Sequence, residues 1–177
     1  MPEIKTTPSV VIRILLWLVM LVGGAVFSIM KDWHNPLFHS WLFHLVSCAI
    51  GALLIMLAFR AAGNGGRELA KGRSENLPRL ETDKLVTTGI YTCMRHPMLF
   101  GLTLLPLGVA FLLGSPTFIT IVAPLEMLFI IIMVLIFEEM EVHKKFGEDY
   151  EKYKKEVPMV SFRRECLKRL FTPKTPK

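Results

Sequence analysis

The sequence predicts an all-α, polytopic membrane protein. It reads as four transmembrane helices, the last two forming a tight hairpin, followed by an amphipathic C-terminal helix on the cytoplasmic side. Three observations predict this. Hydrophobic residues make up 52% of the 177 and gather in blocks, and a helix that crosses a bilayer needs ~20 consecutive, mostly apolar residues. Lysine and arginine are alternately plentiful and scarce between the blocks, as the positive-inside rule requires. Only "GSPT" separates the last two blocks, and so short a Gly-Pro connection makes a reversal. A water-soluble bundle would need a polar face on every helix, which these blocks lack. The length suits one membrane domain over residues 1–177. Its parts are a helix pair (1–60), a cytoplasmic loop (61–97), the helical hairpin (98–137) and cytoplasmic C-terminal helices (138–177).

The first apolar segment runs from about Val10 to Met30, with Arg13 near enough to its end to reach the interface. No small-residue cleavage site follows it, so it reads as an anchor and not a removable signal peptide. The second runs from about Trp41 to Phe59. Trp33 and Trp41 flank the connection between them, where interfacial aromatics belong. His39 and His44 in this region read as interfacial residues, not as ligands. The third segment, Met98 to Leu113, is short. The fourth, Thr117 to Phe137, carries Glu126 in its outer half, where a charge is costly; that residue reads as structural or as part of a substrate path. Lys31 is the lone basic residue of the first connection, "GSPT" has none, seven fall from Arg60 to Arg95, and eleven follow Phe137. Both termini and the long second loop are therefore expected in the cytoplasm.

The formal net charge of +6 is then an orientation and anionic-lipid signal. A nucleic-acid partner is not expected, because the basic residues are interleaved with acids beside membrane segments. Gly63, Gly65, Gly66 and Gly72 do not make a phosphate loop, which needs a strand before it and a helix after it; they read as a helix terminator and flexible turn. Cys48, Cys93 and Cys166 share no metal-like spacing, and an odd, scattered set argues against a disulfide framework. No metal site is expected. Phe146, Tyr150 and Tyr153 recur at helical spacing and form one apolar stripe in a helix that Pro158 ends. "RRECLKRLF" is a further short basic amphipathic stretch.

Chemistry concentrates at two places. Arg95-His96-Pro97 stand at the start of the third segment, and Glu138-Glu139 at the end of the fourth. A tight hairpin makes these two ends neighbours, so a cation, an imidazole and two carboxylates should meet at the cytoplasmic membrane edge. Pro97 is also ordinary helix-start chemistry, Arg95 could reach lipid phosphate, and the glutamates could be a solvated exit from the membrane. Two carboxylates near a helix C-terminus oppose the macrodipole, however, so helix stability alone does not account for them.

The stretch "LVTTGIYTCMRHPMLFG", an apolar hairpin, "EE", and then "FGEDYEKYKKEVP" resembles the superfamily of membrane methyltransferases that holds the isoprenylcysteine carboxyl methyltransferases and the phospholipid N-methyltransferases. The shared pattern runs Leu-Val, Gly-x-Tyr, Arg-His-Pro-x-Tyr-x-Gly, a helical hairpin, Glu-Glu, Phe-Gly, Tyr and a late Val-Pro, over roughly residues 76 to 160. The resemblance implies S-adenosylmethionine as methyl donor, and a lipophilic or small-molecule acceptor beside membrane lipids. By position it implies that Leu85, Val86, Tyr91, His96, Pro97 and Glu138 contact the cofactor, Glu138 through the cofactor's ammonium group. Asn76, Asp83 and Lys84 fall at further contact positions. Arg95, His96 and Glu139 are the candidate catalytic residues, with His96 or Glu139 as base for a protonated nucleophile. Two positions depart from the pattern. Leu99 stands where tyrosine is usual, and Val134 where the prenylcysteine enzymes carry a substrate-binding arginine, which favours a neutral lipophilic acceptor, a lipid amine or a small thiol. A non-catalytic scaffold or transporter-like protein with the same fold is the alternative.

Overall fold

The computed structural model describes residues 7–74 and 82–172, with side chains from residue 11 onward. Every regular element among them is helical: α1 (Thr7–Asp32), α2 (Trp41–Leu69), α3 (Pro97–Leu113), α4 (Ala123–Met133), α5 (Glu139–Glu156) and α6 (Arg164–Phe171). Wider π-type turns, Phe118–Val122 and Val134–Glu138, lead into and out of α4, so the chain is helical from Phe118 to Glu156 apart from a kink at Gly147. Single 3-10 turns occupy Pro36–His39, Ala70–Gly72 and Gly89–Thr92. Three helical stretches, Val11–Asp32, Trp41–Gly72 and Phe118–Glu156, are long and apolar enough to cross a membrane, and α3 is a shorter apolar helix. Residues such as Ile12, Val19, Val22, Leu45 and Leu125 turn outward, as they must where the surrounding solvent is hydrocarbon.

Small residues set the closest helix pair. A Cβ on Gly51 would lie 2.6 Å from the Leu112 nitrogen, one on Gly101 2.7 Å from the Ala58 carbonyl, and one on Gly108 2.7 Å from Ile55 Cγ1. With only hydrogen at these positions, the backbones of α2 and α3 approach to contact, the usual basis of packing between membrane helices. The same packing corrects the reading of the loop glycines. Gly63, Gly65 and Gly66 do not end a helix; α2 runs through them, and Gly65 gives room to Met98, whose Cγ would sit 2.7 Å from an added Cβ. Only Gly72 keeps the terminating part, its carbonyl accepting the Asp83 and Lys84 N–H groups at 3.1 Å each. The expected loop beginning at residue 61 therefore starts at Arg73.

Between α3 and the following helix, Gly114 adopts a left-handed conformation (φ 60°) that closes the last turn of α3. Asp32 at the end of α1 then holds the new helix start: its carboxylate accepts the Thr117 N–H at 2.9 Å and the Ser115 and Thr117 hydroxyls at 2.5 Å each. Glu126 is 3% exposed and faces α1, where a Cβ on Gly24 would meet its Oε1 at 2.8 Å. His39 and His44 are each within hydrogen-bonding distance of a backbone carbonyl, of Trp33 and Phe38 respectively.

At the other end of the bundle, Ala61, Val86, Ile90, Tyr91, Met94, Tyr150, Tyr153, Cys166 and Leu170 form one buried cluster. The expectation against a disulfide is overturned here. Cys93 and Cys166 are bonded, with Cα atoms 5.6 Å apart, while Cys48 is free and exposed. The partners lie 73 residues apart, and only the docking of α6 on the Gly89–Thr92 turn brings them together. Spacing along the chain carries no trace of such a pairing.

Candidate functional site

The site is built where the start of α3 meets the junction between the Val134–Glu138 turn and α5. Pro97 opens α3 with its fixed backbone angle, and its missing N–H is one that no helix start can use. Just before it, the chain lies against residues 157–159. The N–H groups of Arg95 and His96 donate to the Pro158 and Met159 carbonyls at 3.0 and 3.1 Å, and Arg95 Nε donates to the Val157 carbonyl at 3.0 Å. The late Val-Pro of the sequence pattern thus supplies acceptors that hold Arg95 in place, and Met159, the next residue, does the same for His96.

Glu139 is the hub of the charged groups. Its Oε1 accepts from Arg95 Nη1 at 2.5 Å, the Tyr150 hydroxyl at 2.7 Å and His96 Nε2 at 2.8 Å, and its Oε2 pairs with Lys154 Nζ at 3.2 Å. The side chains of Arg95 and Glu139 are only 9% and 11% exposed. A pair desolvated to that degree needs satisfied hydrogen bonds on both partners, and both have them: Arg95 Nη1 also donates to Tyr150 at 2.9 Å. Glu138 differs. Its side chain is 48% exposed, and the contact given for it is His96 Nδ1 at 3.4 Å. The imidazole therefore bridges the two glutamates, one nitrogen to each. Burial opposes a charge on His96, but the hydrogen bonds and charges of Glu138 and Glu139 outweigh it and raise its pKa above the ordinary value.

The remaining residues singled out in the sequence gather at the same end. Tyr91 is buried, and its pKa is raised by burial first, then by the charges of Tyr153, Glu138 and Glu68. Its carbonyl accepts the Tyr153 hydroxyl at 2.5 Å. Val86 is buried in the cluster that holds Tyr91, and Leu85 packs against it. The Asp83 carboxylate accepts the Ser74 N–H at 2.9 Å; Lys84 is exposed, and Asn76 lies outside the described residues. Arg95, His96, Glu138 and Glu139 are linked by direct contacts, Pro97 follows His96 in the chain, and Leu85, Val86 and Tyr91 belong to the apolar cluster that also holds Tyr150.

Sequence reasoning missed four contributors. Tyr150 and Tyr153 were legible as an apolar stripe, yet their hydroxyls are what reach Glu139 and Tyr91. Lys154 looked like one more surface lysine. Glu68 had no signal at all, being one acid in a charged stretch, but it is 3% exposed and packs under Gly89, where a Cβ would lie 2.5 Å from its Oε2. Gly89 has φ 63°, so the position is suited to glycine on both counts. Glu68 lines a cavity of about 170 Å³ with Asn64, Gly89, Ile90 and Arg169. A more open cleft of about 340 Å³ is lined by Leu135, Glu139, Met140, His143, Lys144 and Lys154.

Comparison with known proteins identifies the family. The profile of the phospholipid methyltransferase family matches residues 41–149. Protein-S-isoprenylcysteine O-methyltransferase B of Arabidopsis thaliana is 31% identical over 122 residues, which are 68% of this chain and 59% of that relative's length. The match therefore spans less than two thirds of the relative.

Proposed function

We propose a function from the premise that the chain belongs to the phospholipid methyltransferase family, whose profile covers more than half of it. It is an integral membrane methyltransferase. The finer reading is S-adenosylmethionine-dependent methyl transfer to a lipophilic or small acceptor at the cytoplasmic face, on a domain of four membrane helices whose last two form a hairpin. The observation that carries it is the unequal glutamate pair. Glu139 is already neutralised by Arg95, His96 and Lys154, whereas Glu138, half-exposed beside His96, keeps acceptor capacity.

When bound, the cofactor supplies a methyl group on a sulfonium, and it also carries an ammonium and a carboxylate. The donor set fits its cationic part. Glu138 would hold the ammonium by a charge-assisted hydrogen bond, and Leu85, Val86, Tyr91, His96 and Pro97 would enclose the rest. Arg95 spends its donors on Val157, Glu139 and Tyr150, so its part is to position His96 and the glutamates. His96, whose raised pKa favours a proton on each nitrogen, orients Glu138 through Nδ1–H and is a poor base in that state. Positioning and exclusion of water then carry most of the rate.

The two departures from the family pattern support an apolar acceptor. Leu99 and Val134 are buried in one cluster with Ile130, and Trp17, Ile131 and Met159 pack on it. Positions that would carry a tyrosine and a substrate-binding arginine in the prenylcysteine enzymes form here an apolar wall. The name of the Arabidopsis relative points to a prenylated cysteine as its own acceptor; for this chain the wall favours an acceptor without a carboxylate.

Calorimetry with S-adenosylmethionine tests the reading. Wild-type protein in detergent should bind saturably, and Glu138→Gln should bind roughly tenfold or more weakly, the loss of one charge-assisted hydrogen bond, with unchanged unfolding temperature. Mass spectrometry after supplying methyl-labelled donor to native membranes should then reveal a labelled lipid or small molecule. No binding by the folded wild type would sink the proposal.

A further inference from the structure

We propose that Cys93 and Cys166 are a reversible thiol–disulfide site that clamps α6 onto the segment bearing Tyr91, Arg95 and His96, with a small disulfide of the glutathione class as its oxidant. The placement of the two sulfurs carries this. Cys93 directly follows the Gly89–Thr92 turn and stands two residues before Arg95. Cys166 is on α6, whose buried residues Cys166 and Leu170 pack into the cluster that holds Ile90, Tyr91 and Met94. The rest of the grip on α6 is modest. Asn64 Nδ2 donates to the Leu170 and Thr172 carbonyls at 2.6 and 3.0 Å, and Phe171 meets Phe100 edge-on at 5.8 Å. The sulfur bridge is thus the covalent tie between this short helix and the cofactor segment, across 73 residues.

The compartment decides whether the bridge is a staple or a switch. This step rests on the proposed orientation and cofactor site. Cytoplasmic thiols are kept reduced, and disulfides found there are mostly transient or regulatory. Among the described residues no group of His, Cys, Asp and Glu could hold a metal ion, so the pair is not explained as ligands. Cys93 is partly exposed, and Cys166 is 6% exposed, so exchange begins at Cys93. Its thiolate attacks the small disulfide, forming a mixed disulfide and releasing one small thiolate. The Cys166 thiolate then attacks Cys93 Sγ, forming the protein disulfide and releasing the second. Two protein thiols and one small disulfide become one protein disulfide and two small thiols. Reduction by two glutathione molecules runs the same steps in reverse.

The test uses full-length protein in detergent, equilibrated at a series of ratios of reduced to oxidised glutathione. Differential alkylation and mass spectrometry read the bond, and hydrogen exchange reads residues 164–171. The pair should interconvert across the series, and α6 amides should exchange roughly tenfold faster in the reduced form, as for a locally loosened element. A Cys93→Ser/Cys166→Ser protein should match the reduced form at every ratio. The proposal is overturned if both cysteines are alkylated at all ratios, if the bond resists glutathione throughout, or if α6 exchange is the same in both forms. A parallel titration with S-adenosylmethionine should give several-fold weaker binding to the reduced form, and equal affinity overturns the link between clamp and site. Failure to bind in either form counts against the functional reading, while the exchange data still decide the clamp.

Discussion

Glu138 and Glu139 are neighbours in the chain with opposite surroundings, and His96 joins them. Because burial opposes the imidazolium while both carboxylates favour it, and the carboxylates win, the folded pKa lies above the unfolded one. A raised pKa contributes stability that is fully present below the unfolded value, about 6.5, and is lost as pH rises through the folded value. Thermal unfolding of wild type and His96→Gln in detergent should therefore show the largest gap at mildly acid pH, closing as pH rises above neutrality. A gap that widened with pH would mean a neutral imidazole. The sequence led to the expectation that these four residues meet, and they are linked by direct contacts. It left open which glutamate is exposed. Successive helical residues point ~100° apart, so the answer depends on helix phase, and the π-type turn Val134–Glu138 alters that phase at the pair itself. Such turns inside helices are frequent at functional sites.

Among the elements, α5 explains how one hub can collect partners far along its own helix. Tyr150 lies eleven residues beyond Glu139, about 16 Å along a straight helix at ~1.5 Å per residue, yet its hydroxyl is 2.7 Å from the carboxylate. Gly147 makes this possible. With φ 54° and ψ −127° it breaks the helical path inside α5, so the following turns fold back toward Arg95. The Phe-Gly of the sequence pattern is thus a hinge residue. A Cβ there would meet nothing within 4 Å, so the cost of Gly147→Ala is backbone strain alone, about 1–3 kcal/mol. Denaturant unfolding in detergent should show that loss, together with weaker cofactor binding as Tyr150 and Lys154 move away from Glu139. An unchanged midpoint would remove the hinge argument. The glycines of α2 teach the converse. Composition marked Gly63, Gly65 and Gly66 as a helix end, but α2 runs through them and Gly65 serves close packing against Met98 of α3, while Gly63 and Gly66 face open space.

Across the whole molecule, the helices are tied at both ends. At one end Asp32 joins α1 to the helix start after α3. At the other, Arg13 of α1 pairs with Glu141 at 3.0 Å, and Arg95 pairs with Glu139. Asp32→Ala leaves Ser115 and the Thr117 N–H without their acceptor, at a cost of about 1–3 kcal/mol for each unmet buried group. The expected result is a lower unfolding temperature with cofactor affinity intact, because the glutamate pair lies at the opposite end. Calorimetry on the folded variant checks it, and a matching loss of affinity would mean that the two ends are coupled. Asp32 was illegible because an acid at the end of a membrane helix looks like an ordinary exit into water.

The apolar runs, the charge alternation and the ordered motif were enough to establish a helical membrane protein of this methyltransferase family and to nominate Arg95, His96, Glu138 and Glu139. These are local properties, since transfer energy and charge bias add up residue by residue along the chain. The tertiary structure alone decided that Glu139 is a saturated hub while Glu138 stays open, that Cys93 meets Cys166, that Asp32 caps a distant helix, and that Leu99 and Val134 share one apolar wall. Each of these depends on helix phase and on contacts between distant segments, and the chain acquires neither until its helices pack.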